Sequence, residues 1–136
     1  MVRNWNGRSR GVGLALAVCL VVLSGCNRPV AIKGRLLYDG QPLHGRGPDD
    51  ITMTFCRLVD GKDQWAEVKR AVVNQDDGTF QMRVGLVPGT YRIIIHQTDP
   101  KTGKDRFHDA FKQGTSPIIR EITGAQELVL DLAQPK

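Results

Sequence analysis

From residue 30 onward the chain breaks into short runs in which apolar and polar residues alternate, with a turn signal about every eight to twelve residues. Alternation places successive side chains on opposite faces of an extended strand, so each run offers one apolar face and cannot bury it alone. Seven such runs are countable: Val30 to Tyr38, Ile51 to Leu58, Trp65 to Val73, Thr79 to Val84, Thr90 to Gln97, Pro117 to Ile122 and Glu127 to Leu132. Regular short strands of this kind predict an all-β, seven-stranded antiparallel β-sandwich. Its shared core is expected from Ile51, Met53 and Phe55; Phe80, Met82 and Val84; Tyr91, Ile93 and Ile95; and Leu128, Leu130 and Leu132.

The punctuation between the runs agrees. Asp39-Gly40 and Asp77-Gly78 place a glycine where a turn needs positive φ, and Pro88-Gly89 has the order of a type II turn. Asp60-Gly61-Lys62-Asp63 and Asp76-Asp77-Gly78 also read as turns, because they lack the Asp-x-Asp-x-Asp-Gly order of a calcium loop. Two stretches depart from the strand pattern, His44 to Asp50 and the nineteen residues Thr98 to Ser116. The second is long for a bare connector and is expected to be the most mobile part of the domain. Phe107 and Phe111, four apart, are expected to dock it on the sheet.

Residues 1–25 have a different character. A basic stretch ending at Arg10 precedes an apolar run of 12 residues, Val12 to Leu23, the layout of a secretory signal helix. At 1.5 Å per residue that run is shorter than the roughly 20 residues a spanning helix needs. Leu23-Ser24-Gly25-Cys26 resembles the lipobox of bacterial lipoproteins. The resemblance implies that Cys26 becomes the first mature residue and carries a thioether-linked diacylglycerol, with a further acyl chain such as palmitate on its amine. Two or three chains hold a protein on a membrane durably, at about 0.8 kcal/mol per buried methylene. Residues 26–29 are then a short anchor linker, and residues 30–133 the folded domain. Asn27, in place of the Asp that retains many lipoproteins at the inner membrane, favours the periplasmic face of the outer membrane in the bacterial envelope. Cys19 leaves with the signal, so Cys56 has no disulfide partner and is expected to be a small, partly buried apolar residue on a strand, not a nucleophile or metal ligand.

Charge excludes one class of partner. The formal net charge is +5, but removing Arg3, Arg8 and Arg10 leaves 16 basic against 14 acidic residues. Lys33, Arg57, Lys69, Arg70, Arg83 and Arg92 are interleaved with carboxylates instead of forming a phosphate-reading stripe, so no nucleic acid is expected.

The run Ile32-Lys33-Gly34-Arg35-Leu36-Leu37-Tyr38-Asp39-Gly40-Gln41-Pro42-Leu43, with Asp77-Gly78-Thr79-Phe80 and Val87-Pro88-Gly89-Thr90-Tyr91, resembles the transthyretin-like carboxypeptidase regulatory domains. The resemblance implies a prealbumin-like (transthyretin/Ig-like) sandwich over residues 30–133 and transmits no catalytic residue. Hydroxyisourate hydrolases of that group end in Tyr-Arg-Gly-Ser; Leu132-Ala133-Gln134-Pro135-Lys136 does not match, and that activity is not expected. Collagen-adhesin repeats of that group join a first-strand Lys to a last-strand Asn or Asp. The candidates here, Lys33 and Asp131, alternate with core positions and are expected to face solvent.

No other chemistry stands out. His96, Asp99, Asp105, His108 and Asp109 cluster along the long loop at no metal-ligand spacing, and His96 lies off the core face, so two solvated histidines are expected. Phosphate-loop, nucleophile-elbow and His-Glu-x-x-His patterns are missing from the sequence. No catalytic, metal or cofactor residue is assigned; the assigned site is the lipidation of Cys26. The leading expectation is a lipid-anchored, non-catalytic binding, spacer or adhesion module facing an envelope protein, peptide or glycan. A carbohydrate- or peptide-binding accessory subunit is the alternative, for which Trp65 is the lone Trp after the signal, and a hydrolase or metal-binding protein using the 98–116 loop is a third.

Overall fold

A computed structural model describes residues 27–135. All seven runs are strands, joined by a two-residue eighth: β1 (Ile32–Tyr38), β2 (Gln41–Pro42), β3 (Ile51–Val59), β4 (Lys62–Val73), β5 (Thr79–Met82), β6 (Gly89–Gln97), β7 (Ile119–Ile122) and β8 (Gln126–Asp131). The described residues contain no helix. Antiparallel pairing follows the path β2-β1-β5-β4-β3-β6-β7, a seven-stranded sheet curled into a half-barrel, and β8 adds to the free side of β1. The inner face of the curl is the core: Phe55 of β3 meets Phe80 of β5 and Tyr91 of β6 at ring-centroid distances of 6.3 and 6.4 Å. Most of the expected core positions are buried there, with Ile32, Leu36, Leu86, Ile118 and Ile122 added.

Two tight hairpins shape the curl. Asp39 and Gly40 (φ 51° and 73°) join β1 to β2, and Asp60 and Gly61 (φ 51° and 72°) join β3 to β4. Both are two-residue loops with positive φ at each position, the geometry whose twist matches the flanking strands. Gly34 serves a different need. It stands opposite Phe80, and a Cβ there would lie 1.9 Å from the Leu128 carbonyl oxygen and 2.8 Å from the Phe80 ring. Only a residue without a side chain lets β8 and the ring close over β1 together.

Three expectations are corrected. β8 runs parallel to β1, from Ile32 opposite Gln126 to Leu37 opposite Asp131, so the domain is not wholly antiparallel. The reason is positional: β7 ends beside the start of β6, at the end of the sheet where β1 also begins, and the link Thr123 to Ala125 delivers the chain there with only one direction left to run. Val84 is 62% exposed and not core, because β5 stops at Met82 and the chain bends, giving its inward place to Leu86. Leu86 exchanges two backbone hydrogen bonds with Val30, of 2.8 and 3.0 Å. Gly89 opens β6 at φ 157°, a positive value open to glycine but far from the roughly +80° of a type II turn, so Pro88-Gly89 is not one. The run Trp65 to Val73 lies within β4 as expected, and between the pairs Arg57–Gln64 and Phe55–Lys69, β4 advances five residues and β3 two. Trp65 to Val68 therefore bulge out of the ladder and are exposed.

The register also defines two ends. One holds Ile51 opposite Gln97, Val73 opposite Phe80, the β1–β2 turn and the long loops. The other holds the β3–β4 hairpin tip, Thr90 opposite Leu58, and Ile122 opposite Gly89. The chain reaches β1 at this second end, through Val30. Nine residues of β3 separate the two, roughly 26 Å at about 3.3 Å per residue.

Candidate functional site

Three expected features cluster at the loop end, and Gln97 organises them. Ile93, Ile95 and Gln97 share the inward parity of β6, so this amide is carried into the interior at 2% exposure. Its Nε2 donates to the His44 carbonyl (2.8 Å) and the Asp50 carboxylate (3.2 Å), and its Oε1 accepts from the Arg106 guanidinium (3.0 Å). One buried side chain thereby ties the 44–50 and 98–116 loops to the sheet, and its polar atoms are satisfied, as burial demands.

Asp105 does the same for the long loop. Its carboxylate, on a buried residue, accepts the N–H of Gln97 at 3.1 Å and of Asp109 at 2.8 Å, and meets His96 Nδ1 at 3.1 Å. The Asp109 bond steadies a left-handed pair, His108 and Asp109, with φ of 52° and 62°. Phe107 and Phe111 dock as expected, edge to face at 5.4 Å, and Tyr38 meets Phe107 at 6.0 Å. Ser116 closes the loop: its buried hydroxyl donates to the Ile93 carbonyl at 2.5 Å, while Arg92 bonds the Ser116 carbonyl (2.6 Å) and the Asp63 carboxylate (2.9 Å).

Beside this clasp a polar cleft of about 190 Å³ is lined by Arg46, Gln97, Thr98, Asp99, Pro100, Lys101 and Arg106. The Lys101 N–H holds the Asp99 carboxyl below the usual range, and the charges of Arg46 and Lys101 add to the effect. Arg106 extends the surface sideways, its guanidinium 5.5 Å from the centroid of the Tyr38 ring, which is 44% exposed. The arrangement presents three cations, one carboxylate and an open aromatic ring. It fits a polar ligand with a planar or sugar-like face better than an apolar one. A wider, open groove of about 400 Å³ runs over Lys33, Gly34, Asn74, Thr79, Gln81 and Glu127 on the strand surface.

The other sequence candidates are dispersed. Cys26 lies outside the described residues. His96 and His108 are both exposed, and among the described residues no group of three or more His, Cys, Asp or Glu side chains is placed to hold a metal ion. Cys56 is fully buried on β3, and burial, with the nearby Asp63 charge, pushes its thiol pKa up. Lys33 stands opposite Glu127 and Asp131 opposite Leu37, so the two side chains of the supposed cross-link are apart along the sheet. Trp65 is 45% exposed in the β4 bulge, away from the cleft. Tyr38, Arg46 and Arg106 were missed, since nothing local marks them; Gln97 carried a signal, a polar residue at the inward parity of an apolar strand.

No protein-family model matches the chain, and no curated protein matches it at a significant level. Among solved structures it is similar to a DUF3823 family protein from Parabacteroides merdae, at 23% identity and a TM-score of 0.50, over 76% of this chain and 45% of that one. DUF3823 family proteins from Bacteroides uniformis (19%, TM-score 0.48) and Bacteroides ovatus (17%, TM-score 0.46) also match over 76% of this chain. The chain thus spans less than half the length of these bacterial structures. The first likeness is one of fold: a β-rich domain.

Proposed function

We propose that the chain is a lipid-anchored protein of the bacterial envelope whose curled sheet, a prealbumin-like sandwich with the two flanks as facing layers, is a non-catalytic binding, spacer or adhesion module. The observation that carries this reading is the polarity of the domain. The chain runs from Cys26 into one end through Val30, and the cleft of Arg46, Gln97, Lys101 and Arg106 opens at the other. Loops at the end of a rigid sheet are where binding residues concentrate, and an anchor at the opposite end presents them outward. The outer membrane, at its periplasmic face, is the proposed location on the strength of Asn27.

A second reading, a carbohydrate- or peptide-binding accessory subunit, is favoured by the exposed Tyr38 ring beside Arg106. A ring stacks on a sugar face or a peptide side chain while the guanidinium and Asp99 take its polar groups. Mass spectrometry of the membrane fraction tests the first reading: the mature protein begins at Cys26 with a diacylglyceryl group, and Cys26→Ser is released by high-salt washing. A different start, or continued partitioning of the variant with membranes, overturns it. Glycan and peptide arrays test the second, with binding lost in Tyr38→Ala and Arg106→Ala.

A further inference from the structure

The distance from Cys26 to the first structured contact is short. Val30 is bonded in both directions to Leu86, and only Asn27, Arg28 and Pro29 lie between it and Cys26. Four residue steps at the fully extended limit of about 3.6 Å span no more than about 14 Å. Pro29 holds its own φ near the extended polyproline value and shortens the slack further. A lipid on Cys26 therefore holds Val30 within about 14 Å of the lipidated residue and keeps this end of the domain near the bilayer.

The surface around that point is the non-loop end of the sheet. It consists of the β3–β4 hairpin tip from Val59 to Lys62, the bend from Arg83 to Pro88, and the link Thr123 to Ala125. Two of its apolar members are open, Val84 at 62% exposed and Val59 at 44%, while Leu86 is in the core. Neither side chain is among those packed on the core, and Arg28 and Lys62 are exposed at the same end, as is Asp60 at the hairpin tip. Exposed valines at an end that also carries Arg28 and Lys62 suit the headgroup layer, where an apolar group enters the acyl boundary and ammonium or guanidinium groups stay with phosphates.

Resting on the reading of Cys26 as a lipid anchor, we infer that this end of the domain is a membrane-contact face: Val59, Val84 and the hairpin tip lie against a phospholipid bilayer surface, and the 98–116 loop points away from it. The anchor then sets orientation as well as location, and the cleft at Arg46 and Arg106 stands roughly 26 Å above the surface.

Site-specific labelling of the full chain, matured in a bacterium and purified from its membranes, tests this. Val84→Cys and Thr102→Cys each place one environment-sensitive dye at an exposed position, at opposite ends, while the native Cys56 is buried. Each labelled protein is reconstituted in phosphatidylethanolamine–phosphatidylglycerol vesicles containing a headgroup quencher, and intact mass records the lipid on Cys26. The expected result is quenching at Val84→Cys at least about threefold that at Thr102→Cys, as for a group within the headgroup layer. Equal quenching at the two positions in protein whose mass shows the lipid overturns the contact face and leaves the anchor standing. A mass without lipid overturns the anchor, and the orientation with it.

Discussion

The Asp131 carboxylate at the end of β8 accepts the backbone N–H of Gly40 at 2.8 Å, and that of Asp39 at 3.0 Å, and so pins the β1–β2 turn to the last strand. It also accepts the Ala133 N–H at 3.0 Å. A residue that alternation places off the core is thereby turned into a fastener between chain segments far apart in sequence.

This relationship has a pH signature. Desolvation raises the Asp131 carboxyl pKa, but the three N–H donors together outweigh it, and the net shift is downward. Asp77, bonded by the Thr79 hydroxyl and N–H, and Asp99, bonded by the Lys101 N–H, are shifted the same way. A carboxyl whose folded pKa is depressed adds stability above its unfolded pKa, about 3.9 for Asp, and that stability is lost as pH falls through the folded value. Thermal unfolding between pH 7 and pH 2 should show the wild type losing stability below about pH 4. Asp131→Asn should melt a few degrees lower at pH 7 and show a shallower acid decline. Parallel decline in both proteins would remove Asp131 from this role.

The seam between β1, β5 and β8 depends on Gly34 and Phe80. Phe80→Ala removes a buried ring that packs on Phe55 and should cost about 3–5 kcal/mol. Gly34→Ala adds one methyl group yet should destabilise about as much as overpacking typically does, 1–3 kcal/mol or more, because the Leu128 carbonyl must move. Urea denaturation of both variants checks the pair. A wild-type midpoint for Gly34→Ala would mean that β8 lies farther from β1.

Much of this was legible in the letters, for reasons that differ by residue. Alternation marks strands because a half-buried strand has a period of two, and Phe55, Phe80, Tyr91 and Leu130 were identified as core on that ground alone. Strand direction leaves no such mark, so the parallel course of β8 was hidden; it follows from where β7 ends. The bulge at Trp65 to Val68 was invisible because its own residues alternate normally, and only the partner strand reveals the excess. Val84 keeps the inward parity of β5, but the strand has ended before it. The cleft was unreadable because Arg46 and Arg106 meet only through the fold, whereas Gln97 was a misplaced polar residue in plain view.

Cys56 should behave as an inert thiol. It is fully buried, and desolvation raises its pKa, so little thiolate forms near neutral pH. In the native mature protein an aromatic disulfide reagent should modify less than about a tenth of Cys56 in an hour, with full reaction in denaturant. Rapid native labelling would indicate that β3 opens at its bulge.

Ser116 and Arg92 carry the junction between the long loop and β6. Ser116→Ala removes a buried donor to the Ile93 carbonyl and should cost about 1–3 kcal/mol. Arg92→Met leaves the Asp63 carboxylate, only 8% exposed, without its cation and should cost about 3–5 kcal/mol. The double variant Arg92→Met, Asp63→Leu should recover much of that loss, since replacing both charges removes the stranded one. Chemical denaturation of the three variants reads these terms. A double variant no more stable than Arg92→Met would place the cost in the bond from Arg92 to the Ser116 carbonyl instead.

The 98–116 loop should divide into a soft tip and a fastened body. Lys101, Thr102, Gly103 and Lys104 are all exposed, and the tip is closed by backbone bonds from the Asp99 N–H to the Lys104 carbonyl and from the Gly103 N–H to the Asp99 carbonyl, each 2.7 Å. From Asp105 onward the chain is held by the Asp105 carboxylate, by Phe107 and Phe111 in the core, and by Ser116. Segments with few buried contacts open at low free energy and are cut first. Limited trypsin digestion of the native protein should therefore cleave after Lys101 or Lys104 well before Arg106 or Lys112. Asp105→Ala should extend early cleavage to Arg106, because the Gln97 and Asp109 N–H groups lose their shared acceptor. His96→Ala with His108→Ala should leave the order of cleavage and the metal content unchanged, since among the described residues no group of three or more such side chains is placed to hold a metal ion. Loss of stoichiometric metal from that double variant would instead make the loop a metal site and overturn its reading as a fastened connector beside the cleft.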